Sequence, residues 1–411
     1  MDFLILPDDP GADVLAKSAR SAAGSVLTHA SGRPWVVGHW AAEDLTLVTA
    51  GTRRLALFGR TRLDPQVAER ALARASSLRD LDPLLRALPG AVHATASFDG
   101  RIRCQGTLST ARQIFHAEVG GLTVAADSPR LLAEFTAAPL DEDTLALRLL
   151  VPAPPWPLTL RTPWRGVRQV AVGHWLELEP DGRAREIEWW TPPAADQPLA
   201  EVADRLRDAL LDAVSVRVEG RPAVGADLSG GLDSTSLCFL AAAAGADLVT
   251  HHWRARDPAN DDTEWAERAA ARLPGARHRF VAPKDAPSWY EGQASPTERA
   301  DDVEGPLSWD RNRLHMEHQA RADAADGATL HLVGIGGDEL FTTLPTYLWS
   351  LVRAHPLRAL SDVHQRRVAN RWAFGPTVRG LLDRSPFARS LTEAADVLTD
   401  PATPLSDPGL G

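Results

Sequence analysis

The sequence predicts two joined folds: an α+β half with much antiparallel sheet, then an α/β half built on a doubly wound parallel sheet. Three observations support this. Before residue 190, short apolar runs alternate with turns. After residue 199, strand-length runs alternate with runs of helical period. Between them lies Thr191-Pro192-Pro193-Ala194-Ala195-Asp196-Gln197-Pro198, with the composition of a linker. The expected division is 1–190, a linker at 191–198, and 199–411. A chain of 411 residues is long enough for two full cores.

In the first half, 45–48, 55–58, 91–98, 102–105, 113–116, 122–125 and 174–178 read as strands, and 65–74 and 141–150 as helices. The proline-rich break Val151-Pro152-Ala153-Pro154-Pro155-Trp156-Pro157 reads as an internal loop. In the second half, Leu199, Val202, Leu206, Leu210, Ala213 and Val214 recur at helical spacing and place a helix at 199–218. Strands are expected at 224–228, 248–253, 278–281 and 330–333, with helices at 232–244, 263–273 and 311–325. Ligands of such sheets sit at the carboxyl ends of the strands.

Composition narrows the function. A net charge of −10 and a pI near 5.7 provide no field attractive to phosphate backbones and argue against nucleic-acid binding. No apolar stretch reaches spanning length, and Met1-Asp2-Phe3-Leu4-Ile5-Leu6 lacks the basic start of a signal peptide, so no membrane role and a cytoplasmic location are expected. Cys104 and Cys238 support neither a disulfide framework nor a zinc site. Lys17 and Lys284 are the only lysines; every other basic residue is arginine.

Two glycine segments carry the chemistry. Ser229-Gly230-Gly231-Leu232-Asp233-Ser234 and Gly334-Ile335-Gly336-Gly337-Asp338-Glu339-Leu340-Phe341 each follow an expected strand, precede an expected helix and place an acid at the turn. Glycines admit an anion close to the backbone, Ser229 and Ser234 add hydroxyl donors, and the following helix directs its N–H groups and positive dipole end at the ligand. A carboxylate beside phosphates needs a divalent cation between them. Asp233, with Asp338 as partner, therefore suggests Mg²⁺. Either segment alone is also what a plain strand-to-helix turn looks like; the pair describes a pyrophosphate site. With no Gly-x-x-x-x-Gly-Lys-Ser/Thr present, the expected chemistry is ATP cleavage to AMP and pyrophosphate.

On these residues the chain resembles the ATP-pyrophosphatase domain of the asparagine synthetase family, which includes β-lactam synthetases and lasso-peptide macrolactam synthetases. The resemblance continues through Asn260-Asp261-Asp262, Gly106-Thr107-Leu108-Ser109, Thr123-Val124-Ala125-Ala126-Asp127, Trp164-Arg165-Gly166-Val167 and Glu188-Trp189-Trp190. These stretches look like the lasso-cyclase branch, and the likeness covers roughly residues 1 to 350. It implies a glutaminase-like (Ntn-type) sandwich followed by an ATP-pyrophosphatase domain. It further implies ATP held by Leu228, Ser229, Gly230, Gly231, Asp233, Ser234, His252, Gly334, Gly336 and Gly337, and Mg²⁺ held by the catalytic pair Asp233 and Asp338. The reaction implied is macrolactam closure on a leaderless precursor (lasso) peptide, with a leader peptidase and a leader-recognition protein as partners.

Departures from the family pattern refine this. Glutamine-using members carry a cysteine nucleophile at the mature N-terminus; here the second residue is Asp2, and no cysteine precedes Cys104, so the first domain is expected to be a scaffold. β-Lactam synthetases place tyrosine where this chain has Ile335. Family members also continue into a helical lobe bearing a lysine, whereas no lysine follows Lys284, leaving Arg366, Arg367, Arg371 or Arg379 as sources of positive charge. The chain is expected to lack that C-terminal lobe, by truncation, supply from a partner, or degeneration, and to expose apolar surface there. Pro401–Gly411 reads as an interrupted loop. Asn260, Asp261 and Asp262 orient substrate or metal, or cap the helix at Thr263. Asp301, Asp302 and Glu304 are read as a cleft-facing or solvated loop, and Trp189 and Trp190 as a domain junction; the resemblance implies that Leu228, His252 and Trp253 border adenine, while His251 and His252 also read as ordinary strand residues. Asparagine synthetase-like or β-lactam synthetase-like small-molecule ligation, a non-catalytic nucleotide- or peptide-binding scaffold, and a tRNA-modifying relative remain as alternatives.

Overall fold

Alternating side chains build the first half as four layers. The computed structural model describes residues 1–20, 24–149, 158–194, 196–288, 290, 312–341, 346–386, 388–390 and 392. Val151–Pro157, Asp301, Asp302, Glu304 and Pro401–Gly411 lie outside the described residues. Two compact units are present, Met1–Gly334 and Ile335–Gly411, a different division from the one expected at the linker.

One antiparallel sheet has the spatial order Arg168–Gln169, Phe115–Val119, Leu122–Ala126, Asp2–Ile5, Pro34–His39, Ser25–Thr28. A second runs Ala184–Glu188, His174–Leu178, Arg101–Gln105, His93–Phe98, Arg53–Phe58, Leu45–Ala50. Strand side chains point to opposite faces in turn, so Phe3 and Ile5 meet Ala56, Phe58, Ile102 and Cys104 between the sheets. Leu4 and Leu6 face outward onto Ala12, Ala16 and Leu132 of the helices Ala12–Arg20 and Pro129–Thr136. Leu55 and Leu57 face outward onto Ala68 and Leu72 of the helix Pro65–Arg74, which starts where Asp64 accepts from the Gln66 and Val67 N–H groups. Trp189 and Trp190, expected at a domain junction, pack in this helix-covered layer of the first half.

Arg103 occupies the outward position between Ile102 and Cys104 and is fully buried. It donates to Asp82 Oδ1 (2.6 Å), the Leu78 carbonyl (2.9 Å) and Gln105 Oε1 (2.8 Å), and its guanidinium lies 4.7 Å from the Trp175 ring centroid.

The second half holds a four-stranded parallel sheet in the order Arg277–Val281, Leu248–Trp253, Val224–Asp227, His331–Leu332. Numbered along the chain that order is three, two, one, four, so the winding reverses between Val224–Asp227 and His331–Leu332. A ligand crevice opens at such a reversal, at the carboxyl ends of the two strands. The helices Leu199–Val218, Leu232–Ala243 and Asp262–Ala270 bury Val214, Cys238 and Ala266 against Val224, Ala226 and Leu248.

In the unit Ile335–Gly411, Trp349 Nε1 donates to the Asp383 carbonyl (2.6 Å) and ties the helix Tyr347–Ala354 to the end of Phe374–Leu382. Tyr347 donates to Asp362 on Pro356–Ala369 (3.1 Å). Leu357, Leu360, Phe374 and Leu382 are exposed. Among the described residues no helix is long and apolar enough to cross a membrane.

Two measurements check this packing. Arg103→Ala strands buried acceptors and should lower the unfolding free energy by about 3–5 kcal/mol in a urea titration, with Arg103→Met costing less. Asp127 accepts from the Phe3 N–H (2.8 Å), but burial, aided by Asp2, overcomes that bond and raises its pKa to about 7. The folded state thus favours the neutral acid. Its contribution is fully present below the ordinary value of 3.8 and is lost as pH rises to about 7. Asp127→Asn should be more stable than the parent at pH 8, and not at pH 4, by thermal melting.

Candidate functional site

The site begins where Val224–Asp227 ends. Leu228 is fully buried, its N–H donating to the His251 carbonyl (2.8 Å), and the chain then turns through Ser229, Gly230 and Gly231 into the helix Leu232–Ala243. The turn is held by its own serines. The Ser229 N–H donates to Ser234 Oγ (3.1 Å), the two hydroxyls are 2.7 Å apart, and the Gly231 N–H donates to Ser229 Oγ (3.3 Å). Gly231 is the N-cap and supplies no side chain, the arrangement in which first-turn N–H groups and the helix dipole face a bound anion. Asp233 lies in that first turn and is half-buried.

Two close approaches fix the turn, and both require glycine. Gly230 has φ +98°, and a Cβ there would lie 2.3 Å from the Asp262 carbonyl oxygen. Gly334, which follows the strand His331–Leu332, packs against Ser234, where a Cβ would lie 2.6 Å from both the Ser234 backbone nitrogen and its Cβ. The first residue of the second glycine segment therefore abuts the first turn.

His252 stitches the surrounding chain to this turn. Its Nδ1 lies 2.8 Å from the Leu228 carbonyl and its Nε2 2.9 Å from Thr263 Oγ1. A carbonyl only accepts, so Nδ1 carries the proton and Nε2 accepts from the Thr263 hydroxyl. Burial lowers the His252 pKa, more than the Leu228 bond raises it, in keeping with this neutral tautomer. Asp261 is the N-cap of the helix Asp262–Ala270 but forms no side-chain cap bond. Its carboxylate accepts from Trp265 Nε1 (3.2 Å), and Asn260 Oδ1 accepts from the Asp262 N–H (3.1 Å). The Asn260-Asp261-Asp262 segment thus acts here through the Asp262 backbone pressed on Gly230.

Sequence reasoning missed a polar cluster beside the turn. His331 Nε2 lies 2.9 Å from Asp227 Oδ1, and its Nδ1 lies 2.9 Å from Asp323 Oδ2. Two carboxylates on two ring nitrogens require two N–H donors, so His331 is an imidazolium. His251 Nε2 lies 2.9 Å from Asp323 Oδ1. The available signal was the spacing of Gln319 and Asp323, one helical turn apart, together with a histidine in the strand before Gly334.

Gly336, Gly337 and Asp338 belong to the second unit. Gly336 adopts φ +110°, its carbonyl accepts from the Leu340 N–H (3.3 Å), and the exposed Asp338 lies in the first turn of the short helix Gly337–Phe341. In the same unit, Arg367 donates to the Trp372 carbonyl (3.2 Å) and Arg366 lies 5.8 Å from the Tyr347 ring. Among the described residues, no group of three or more His, Cys, Asp or Glu is arranged to hold a metal ion. That does not conflict with Mg²⁺ arriving with a nucleotide, since such an ion takes one or two carboxylates and completes its shell with phosphate and water.

Residues 205–404 match the asparagine synthase family model. The second half is therefore similar to an asparagine-synthase-type domain. The amidase chyE of Penicillium rubens is 31% identical over 93 residues, which make up 21% of this chain and 14% of that protein, so the chain spans only a small part of that relative's length. An allosteric regulatory enzyme of purine biosynthesis aligns at 11% identity and TM-score 0.31, over 81% of this chain and 89% of its own. The NH3-dependent NAD synthetase of Campylobacter jejuni aligns at 15% identity and TM-score 0.25, over 48% of this chain and 88% of its own. Overlap this low implies nothing further for this chain.

The close approaches make a direct prediction. Gly230→Ala and Gly334→Ala should each displace the turn, costing about 1–3 kcal/mol in stability and more in nucleotide affinity, as read by thermal melting with and without Mg-ATP.

Proposed function

We propose that this chain is an ATP-dependent amide ligase that adenylates a carboxylate and passes the acyl group to an amine. The observation that carries this reading is the placement of Gly334 against Ser234: turns leaving adjacent strands meet at the reversal of a parallel sheet, and the asparagine synthase match covers both. ATP is the substrate of the Ser229–Ser234 turn. A carboxylate oxygen attacks the α-phosphorus, the bond to the bridging oxygen breaks, and pyrophosphate leaves with Mg²⁺. In this reading Asp233, in the first turn of the helix, would help to hold that ion, whose charge would offset that of the pyrophosphate. The amine then attacks the acyl carbon, AMP departs, and the amine proton passes to solvent.

Asp2, paired with His39 in an interior strand of the first sheet, is no nucleophile of the glutaminase type, and in this reading the first half works as a scaffold. The amine is then either free ammonia or a group of the carboxylate's own molecule. The resemblance to lasso cyclases makes that molecule a leaderless precursor peptide, whose N-terminal amine closes a macrolactam on an Asp or Glu side chain after a leader peptidase and a leader-recognition protein have acted. An asparagine synthetase-like ligase acting on a small molecule uses the same turn, and the family match favours it equally.

Pyrophosphate release with Mg-ATP separates these readings. Release that depends on a leaderless core peptide, and falls at least about a hundredfold in Asp233→Ala, is the expected result. Release that responds to aspartate and ammonia but not to peptide would replace the macrolactam reading with the small-molecule one.

A further inference from the structure

The strand His331–Leu332 is two residues long and, among the described residues, pairs only with Gly225 and Ala226, yet it delivers Gly334 to Ser234. So short a ladder fixes position weakly. A side-chain bridge supplies what the backbone lacks. The His331 ring is held between Asp227, which ends the strand launching the phosphate turn, and Asp323 on the helix Arg313–Ala325. Gly225 makes room for it, since a Cβ there would lie 2.3 Å from Asp323 Oδ1 and 2.6 Å from His331 Nδ1. The Gln319 amide nitrogen lies 2.9 Å from His331 Nε2 and 3.3 Å from Asp227 Oδ1. The amide nitrogen donates to Asp227 Oδ1, the same oxygen that accepts from His331 Nε2.

We propose that His331, bridging Asp227 and Asp323 as an imidazolium, is a positioning residue for phosphate binding that fixes the strand delivering Gly334 to the strand launching Ser229–Ser234. This role rests on the reading of that turn as the pyrophosphate site. The titratable and charged groups facing the ring are Asp227, Asp323 and His251, the last with its ring 5.7 Å away. The Cys238 thiol donates to the Asp227 carbonyl (3.2 Å) and stays neutral, since burial raises its pKa to about 12. Beyond Asp323 lies the Arg279–Asp326 pair (2.6 Å).

Burial pulls the His331 pKa down, but the two carboxylates outweigh it and raise the value to about 9. Burial pushes Asp323 up, and the two histidines outweigh that and hold it at about 2. The bridge's contribution to stability is full below the ordinary histidine value of 6.5 and is lost by about 9, whereas the folded protein keeps the charged bridge until pH approaches 9.

The test is Mg-ATP binding by isothermal titration calorimetry across pH 7 to 10. Wild-type affinity should weaken about tenfold through one ionisation near pH 9. His331→Gln should bind about tenfold more weakly at pH 7.5 and lose that ionisation, and Asp323→Asn, which keeps an acceptor but removes a charge, should move it to lower pH. A merely structural role would lower the melting temperatures and leave the ionisation in place. If His331→Gln matches the wild type in affinity and pH dependence, or Asp323→Asn leaves the ionisation unmoved, the role is overturned; should His331→Gln not fold, Asp323→Asn decides alone. Absence of Mg-ATP binding by the wild type at every pH would remove the phosphate-turn reading and this role with it.

Discussion

The reversal of strand order in the parallel sheet is the constraint on which the rest depends. Because Val224–Asp227 and His331–Leu332 are neighbours but more than a hundred residues apart, two glycine segments remote in sequence begin at the carboxyl ends of adjacent strands of one sheet. Everything near the turn serves that meeting. Gly230 yields to the Asp262 backbone, Gly334 yields to Ser234, and His252 ties the end of the launching strand to the helix that begins beside it. None of these contacts is large in energy. Their value is geometric, since an anion site made of backbone N–H groups works only when the turn is already in place.

Among the described residues, Arg103 and the His331 bridge hold charge away from water, and in each the charge is surrounded by partners that satisfy it. Arg103 sits in the covered layer of the first half with three hydrogen-bond acceptors and an indole face; His331 sits in the second half with a carboxylate on each nitrogen. Replacing such groups by apolar residues can be nearly neutral for stability, so stability alone does not account for them. A cation between two fixed anions specifies one register and one approach. At the sheet reversal that specificity falls on the residues that carry the proposed chemistry.

Much of this was legible in the sequence where local chemistry decides the outcome. The helices Pro65–Arg74 and Leu199–Val218 and the strand Leu248–Trp253 have the limits that periodicity gives them. The strands Asp2–Ile5 and Pro34–His39 were not anticipated, because both faces are covered and their apolar runs show no alternation. Ala184–Glu188 escaped for the opposite reason: it is an edge strand with only Ile187 buried. In the site, the glycines and serines of the first turn could be read directly, since turn chemistry is local. The Asp227–His331 bridge joins positions 104 apart, and nothing in either neighbourhood announces the other. Long-range polar pairing is set by topology, and it became readable only once the strand order was known.

The account rests on the Ser229–Ser234 turn, with Gly334 packed against it, taking the phosphates of ATP. Amide hydrogen exchange of the full chain, with and without Mg-ATP, tests it most directly. Protection that appears in 228–234 and at Gly334 and spares the sheets of the first half is the predicted result. Protection elsewhere, with 228–234 and Gly334 unchanged under saturating nucleotide, would contradict the account.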